Sequence, residues 1–445
     1  MAMTNIGDTE RIKAWITAAD MGLGHKRAVQ PLAGIAEEGV IIANSPDFAD
    51  PEELKVWDRM RAMYERLSRV KSIPLVGNLL FGIMDYFQSI KPAYPRIDLS
   101  FPTVQTRFVD RLIGNGLCAT MLRKIGTKPL PMVTSFYQNA MAADRTGYGR
   151  VYCIICDADI NRVWVAGSPK ESRVEYMVPC GSALLRLRQY GVPDDRIYMT
   201  GFPLPLELLG NDDLDVLKAD LGQRLAVLDP KERFRPLHGL NVEHFLGRKN
   251  AAQKADRPPT FAFAVGGAGA QKDIGAAALR SLAPRLEAGE CRFNLIAGVR
   301  KEVTDFFLGI IEEILPGCPN VRVIWGRDDI EYFSAFNESL HETDVLWTKP
   351  SELSFYVGLG IPMVAAPSIG SQERFNRRWL ESVQACYDQH DPEYAHEWLF
   401  EYLAEGRFAE AAWSGFLKAR KYGTYKILEI LATGTMKRET SPLKR

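Results

Sequence analysis

Short apolar runs alternate with stretches of helical period along most of the chain, and many of the runs end in a glycine or polar turn. Residues 11–18 (RIKAWITA) alternate and then turn apolar, as a first strand does, and pass through Asp20, Gly22 and Gly24 into a helix predicted over 26–37. Asp50 and Pro51 have the chemistry of an N-cap and a first helical residue, and Leu54, Trp57, Met60, Tyr64 and Leu67 recur behind them at helical spacing. Residues 130–136 (LPMVTSF) and 151–156 (VYCIIC) read as parallel strands buried on both faces. Residues 176–205 then read strand, helix, strand (YMVPC, SALLRLRQYGV, DRIYMTGFPLP).

The rhythm is repeated further on. A strand over 260–265 (TFAFAV) runs into the small residues Gly266, Gly267, Ala268, Gly269 and Ala270, and a helix is predicted over 273–287. FNLIAG, a helix containing FFLGIIEEIL, VRVIWG and a helix containing IEYFSAF follow. The strand beginning at Val345 leads into a polar turn (Thr348, Lys349, Pro350, Ser351, Glu352) and a helix closed by Gly358 and Gly360. Pro362 precedes a strand over 363–366 and a loop carrying Ser371, Gln372, Glu373 and Asn376, and the tail over 392–431 is helical. Two successive strand–helix series predict an α/β protein of two Rossmann-like, doubly wound domains. The boundaries expected are 1–210 for the first, 211–258 for a charged connecting segment with one short helix, and 259–445 for the second.

Composition narrows the function classes. A chain of 445 residues exceeds a typical single core, in agreement with two domains. Lys plus Arg equals Asp plus Glu at 55 each, so no overall field draws in nucleic acid, and any polyanion or membrane contact is a local patch. The stretch MAMTNIGDTER lacks the basic and apolar regions of a signal peptide, and no run reaches the ~18 apolar residues of a spanning helix; a cytoplasmic protein is expected. The seven cysteines are irregularly spaced and read as reduced thiols. One stretch stands out. Residues 72–84 carry no charge and are followed by Tyr86, Phe87, Lys91, Tyr94 and Arg96, so the segment either covers a core or lies at a lipid headgroup layer.

Several positions have the chemistry of a site. In an open parallel sheet, ligands bind beyond the carboxyl ends of the strands, where turns and helix N-termini present backbone N–H groups to an anion. Gly22 and Gly24 follow the first strand and let backbone approach a ligand, while His25 closes that turn as a near-neutral acid or base. The small residues from Gly266 to Ala270 suit phosphate oxygens, and Lys272 adds charge. Asp157 and Asp159 flank Ala158 in the pattern some enzymes use to hold a divalent cation, but three residues match by chance. Cys153 and Cys156 have zinc-knuckle spacing yet lie on opposite faces of a predicted strand and lack a second pair, so no metal site is expected.

Thr348-Lys349-Pro350, a helix, Gly360-Ile361-Pro362, a strand, Gln372-Glu373 and Asn376 together resemble the donor-binding segment of B-type-fold glycosyltransferases. The chain is most similar to monogalactosyldiacylglycerol synthases and to the N-acetylglucosaminyltransferase that forms lipid II. Gly22-Leu23-Gly24-His25 resembles their opening Gly-x-Gly-His corner, Cys156-Asp157 takes the place of their Thr-Asp, and the stretch 198–203 (YMTGFP) resembles the end of their first domain. The resemblance covers residues 11–205 and 260–432, with its pieces in the families' order. It implies two domains facing across a cleft and transfer of a sugar from a UDP-sugar to an acceptor hydroxyl.

The roles follow from the same resemblance. Gly266, Gly267, Ala268, Gly269, Thr348, Lys349, Ser351 and Glu352 belong to the donor side, with Arg300, Trp325 and Gly326 near the nucleotide and Gln372, Glu373 and Asn376 on the sugar. Gly22 and Gly24 lie on the acceptor side, where His25 or Asp157 removes the hydroxyl proton. No metal and no permanently bound cofactor is implied, and the lipid acceptors of these families imply a membrane surface at the cytoplasmic face. The sequence departs from the pattern in one place. The families have a glycine-rich turn and a Glu further into the helix, whereas the turn here is about two residues shorter, so either Glu352 takes that place or the site is altered. A nucleotide-sugar-binding protein without catalysis, or a sugar-nucleotide epimerase of the same fold, are the rival readings.

Overall fold

Every residue of strand β1 (Ala14–Ala18, AWITA) is buried, which is the condition under which a strand flanked on both sides by neighbours carries no polar alternation. It pairs in parallel with β2 (Ala36–Ile42) on one side and β3 (Met132–Thr134) on the other. Strands β4 (Val151–Ile154), β5 (Glu175–Met177) and β6 (Ile197–Tyr198) extend the sheet, all parallel, in the order β2-β1-β3-β4-β5-β6. The chain therefore reverses its direction of travel across the sheet between β1 and β3. At such a reversal the loops beyond the two strands diverge and leave room for a ligand.

The computed structural model describes the chain outside residues 1–11, 71–89, 93, 267, 268, 270, 369, 440, 442 and 443, and of residues 63–70 it describes the backbone alone. The uncharged run 72–84 with Leu79, Leu80 and Phe81, and the aromatics Tyr86 and Phe87, thus lie outside the described residues.

A second sheet is built from β7 (Thr260–Ala264), β8 (Arg292–Gly298), β9 (Val321–Trp325), β10 (Val345–Thr348), β11 (Met363–Ala365) and β12 (Cys386–Asp388). It is parallel throughout, in the order β12-β11-β10-β7-β8-β9. Its reversal falls between β7 and β10, in the strand order of a dinucleotide-binding fold. Both sheets are flanked by helices, so the protein consists of two doubly wound, Rossmann-like domains. By contacts it divides into one unit of Met1–Leu204, Ile369–Asn376 and Tyr422–Arg445, and a second of Pro205–Ser368 and Arg377–Lys421.

Local chemistry explains the elements that matter here. The helix Pro51–Val70 starts where the Asp50 carboxylate accepts from the N–H groups of Glu52 and Glu53, both at 2.9 Å, and it buries Trp57. The helix expected over 26–37 is shorter. It spans Leu23–Val29 and tightens into a 3-10 turn, Gln30–Ile35, because Pro31 has no N–H to continue an α-helical ladder; residue 37 already belongs to β2. Residues 371–376, expected as a loop, are the first turns of a helix, Ser371–Val383. The Glu373 carboxylate reaches back to the N–H of Gly370 at 3.2 Å, the reciprocal half of a capping box. Residues 211–258 carry three helices, Asp215–Val227, Arg235–Leu246 and Arg248–Ala251, rather than one. Buried Arg224 donates to the carbonyls of Leu340, Thr343 and Leu359 and so ties the first of these to the second sheet's helices.

Candidate functional site

The carboxyl end of β1 runs through Asp20 to Gly22, whose φ of +118° is open only to glycine at low cost, and this turn sets His25 in the helix Leu23–Val29. His25 Nδ1 lies 2.9 Å from the carbonyl of Ser135, just past β3, and the Ser135 hydroxyl donates to the carbonyl of His25 at 2.6 Å. A carbonyl only accepts, so this network assigns the proton to Nδ1 and leaves Nε2 as the basic nitrogen of the neutral ring. Phe136 meets the imidazole edge-on at 4.8 Å and Trp164 lies at 5.9 Å, with Tyr137 against both aromatic rings at 4.9 and 5.2 Å. Burial pushes the Tyr137 phenol up to about 12, so it stays protonated at neutral pH. Asp20 is paired with Lys26 (2.9 Å) and Arg61 (3.1 Å), which holds the turn from the other side. These groups stand at the reversal of the first sheet.

The end of β4 reaches the same place. The Cys156 thiol lies 3.9 Å from the Ser135 carbonyl, and the next residue, Asp157, accepts from the side-chain amide of Asn376 at 2.8 Å. Asn376 Oδ1 in turn accepts from the N–H of Ala158 at 2.7 Å, and the Ser182 hydroxyl donates to the Ala158 carbonyl at 2.6 Å. Asp159 is bound in two places by Arg186, at 2.7 and 2.8 Å, with both side chains buried. Burial raises the Asp159 carboxyl above its usual value, the Arg186 bonds acting against it. The Asp-Ala-Asp pattern therefore does not present two carboxylates to one point: its second member is an ion-pair partner. Among the described residues no three His, Cys, Asp or Glu side chains cluster in a way that would hold a metal ion. Cys153 is buried, and burial raises its thiol well above the usual range.

In the second unit, β7 and β10 bring Gly266 and Lys349 together. A Cβ on Gly266 would stand 2.6 Å from Lys349 Cε, so the lysine stem lies directly over the glycine backbone. Thr348 is buried and its hydroxyl donates to the carbonyl of Ala264 at 3.0 Å, which makes it a link between the two strands. Gly269 lies beside Arg300 at the end of β8, where a Cβ on the glycine would stand 3.8 Å from Arg300 Cδ, and Arg300 pairs with Glu302 at 3.4 Å. Gln271, which caps the helix Lys272–Glu287 in the left-handed region, donates to the carbonyl of Pro367 beyond β11 at 2.8 Å. Ser351 precedes the 3-10 helix Glu352–Leu359, and its N–H donates to the Lys349 carbonyl at 2.8 Å. Gly267 and Ala268 lie outside the described residues.

Other candidates are placed differently. Trp325 is exposed at the end of β9, and Gly326 packs so closely on the start of the helix Asp329–Glu342 that any Cβ would collide with Tyr332. Gln372, Glu373 and Asn376 share the first two turns of the helix Ser371–Val383 and are counted in the first unit. Sequence reasoning missed Ser135, Phe136, Tyr137 and Gln271. The signal for the first three was the run Thr-Ser-Phe-Tyr at the end of an apolar strand, and Gln271 follows the small-residue loop directly.

No protein-family model and no curated protein matches the chain. Among solved structures, the chain is similar to S. aureus MnaA, whose structure holds UDP, at 11% identity over 94% of this chain and 96% of that one, with a TM-score of 0.47. It is similar to Acinetobacter baumannii MurG at 12% identity over 94% and 99%, TM-score 0.46. It is also similar to a UDP-glucosyltransferase from Polygonum tinctorium at 13% identity over 95% and 98%, TM-score 0.44.

Proposed function

We propose that the protein is a glycosyltransferase that moves a sugar from a UDP-sugar to an acceptor hydroxyl. The observation that carries this reading is the seat of Lys349 over Gly266 where the second sheet reverses, the position at which an open parallel sheet binds a nucleotide. There the Lys349 ammonium, seated over the backbone of Gly266, offsets the charge of the departing diphosphate. Gln372 and Glu373 orient the sugar ring by hydrogen bonds to its hydroxyls. On the first unit His25 acts as base: Nε2 takes the acceptor proton while the bond from the anomeric carbon to the diphosphate oxygen lengthens and the carbon becomes oxocarbenium-like. Asp157 is the carboxylate of the same sheet end.

A lipid acceptor is the finer part of the proposal. It is supported by an apolar surface on the first unit, where Ile97, Phe101, Val104 and Phe108 are exposed together with Tyr94; Phe101 is 76% and Val104 72% exposed. Lys91, Arg96, Arg107 and Arg111, with Asp98, are exposed in the same stretch of chain. Exposed aromatic and aliphatic groups interspersed along the chain with cations suit a headgroup layer. No described helix is long and apolar enough to cross a membrane; the contact proposed is a peripheral one through the exposed side chains.

The test is incubation with a panel of UDP-sugars, each with lipid and soluble acceptors, following both the glycosylated product and UDP. Transfer supports the reading. Release of UDP without any acceptor points to an epimerase, and binding without turnover to a nucleotide-sugar-binding protein.

A further inference from the structure

We infer that Asn376 is a positioning residue for Asp157 and not a ligand of the donor sugar, an inference that rests on the glycosyltransferase reading and makes Asp157 the carboxylate that meets the reacting centre. Asn376 is fully buried, and a buried primary amide is stable only where its donors and its acceptor find partners. Both of its functional groups are turned to one short loop: the NH2 donates to Asp157 Oδ1 at 2.8 Å, and the carbonyl accepts from Ala158 N–H at 2.7 Å. The reverse amide orientation would set a carbonyl against a carboxylate and an NH2 against an N–H, so this network admits one orientation. The amide thus fits a carboxylate followed by a backbone N–H, two contacts at once.

The rest of the loop is held just as firmly, by other elements. Ser182 holds the carbonyl of Ala158, and Arg186 holds both oxygens of Asp159, whose charge is engaged in that pair. Three successive residues are therefore anchored at three points, and the anchor on the Asp157 carboxylate is the Asn376 amide. The desolvation of the buried amide is offset by these two hydrogen bonds, and what they fix between them is the orientation of the Asp157 carboxylate relative to the Ala158 N–H. A carboxylate that must face a substrate in one orientation gains from this, because small misplacements of a reacting group cost on the order of 10²-fold in rate.

The experiment compares Asn376→Ala, Asn376→Asp and Asp157→Ala with the double variant Asp157→Ala/Asn376→Ala, in the full chain. Turnover with a UDP-sugar and UDP-sugar binding by calorimetry are measured separately. We expect kcat to fall by roughly 10²-fold in both Asn376 variants, with the dissociation constant of the UDP-sugar unchanged within about twofold, and no further loss when Asn376→Ala is added to Asp157→Ala. Asn376→Asp keeps the side-chain volume and removes the donated hydrogen bond, so it stands in if the alanine variant does not fold. Weakened UDP-sugar binding at unchanged kcat would return Asn376 to the donor, and additive losses in the double variant would separate it from Asp157; either overturns the inference. A wild-type chain that neither transfers sugar nor releases UDP removes the glycosyltransferase reading itself, and this inference with it.

Discussion

His25 and Ser135 hold each other in both directions: the imidazole donates to the serine carbonyl at 2.9 Å and the serine hydroxyl donates to the histidine carbonyl at 2.6 Å. Two turns that follow different strands are locked together at the reversal of the first sheet, and the first of these bonds assigns the proton to Nδ1 of the histidine. A structural histidine and a catalytic one make different demands on this arrangement. His25→Ala is expected to keep the fold and UDP affinity while lowering turnover by roughly 10² to 10⁴, the usual contribution of a positioned acid or base. Loss of the folded state in thermal unfolding would make His25 a structural residue.

Lys349→Ala should weaken UDP binding by about 1 to 3 kcal/mol, the scale of a charge-assisted hydrogen bond. Gly266→Ala provides a second route to the same outcome, because the new methyl group occupies the space of the Lys349 stem and displaces the ammonium without removing it. Calorimetry with UDP checks both, and unchanged affinity in the two variants would remove the anion site from this turn.

Gln372→Ala should act on the sugar and not on the nucleotide. Affinity for the UDP-sugar is expected to fall while that for UDP stays within about twofold, since one hydrogen bond to a hydroxyl contributes about 1 kcal/mol. Equal losses for the two ligands would place Gln372 near the diphosphate instead.

The exposed apolar surface predicts association with lipid vesicles. Replacing Phe101, Val104 and Phe108 with serine should lower liposome binding without altering thermal stability, because these side chains are already in water in the unbound protein. Binding is expected to depend mainly on apolar burial, at about 25 cal/mol per Å², and to rise further on anionic vesicles through Lys91, Arg96, Arg107 and Arg111. Vesicle sedimentation that is the same for wild type and variant would favour a soluble acceptor.

A different kind of prediction concerns the buried pair of Arg186 and Asp159. Asp159→Ala leaves a buried guanidinium without its counter-charge and should cost about 3 to 5 kcal/mol in denaturant unfolding. Exchange of both members for apolar residues of similar size is expected to cost much less, since no uncompensated charge then remains.

Much of the architecture was legible in the sequence because its causes are local. Strands buried on both faces appear as short apolar runs, so 130–136, 151–156 and 260–265 could be placed from composition alone, and Asp50 before Pro51 announced a helix start that the structure shows as two capping bonds. Strand β2 was not legible, since Glu37, Glu38 and Gly39 interrupt its apolar character on a strand at the sheet's edge. Nor was the helical state of residues 371–376, which depends on Glu373 reaching back to Gly370. The order of the strands decides where each sheet reverses, and only the tertiary structure supplies it, because register and neighbour choice are set by packing across the whole domain. Asp157 shows the same limit. Its chemistry could be read from its own position, but the amide that orients it lies 219 residues away, and no local pattern specifies a contact that a loop and a helix make only once the chain between them has folded.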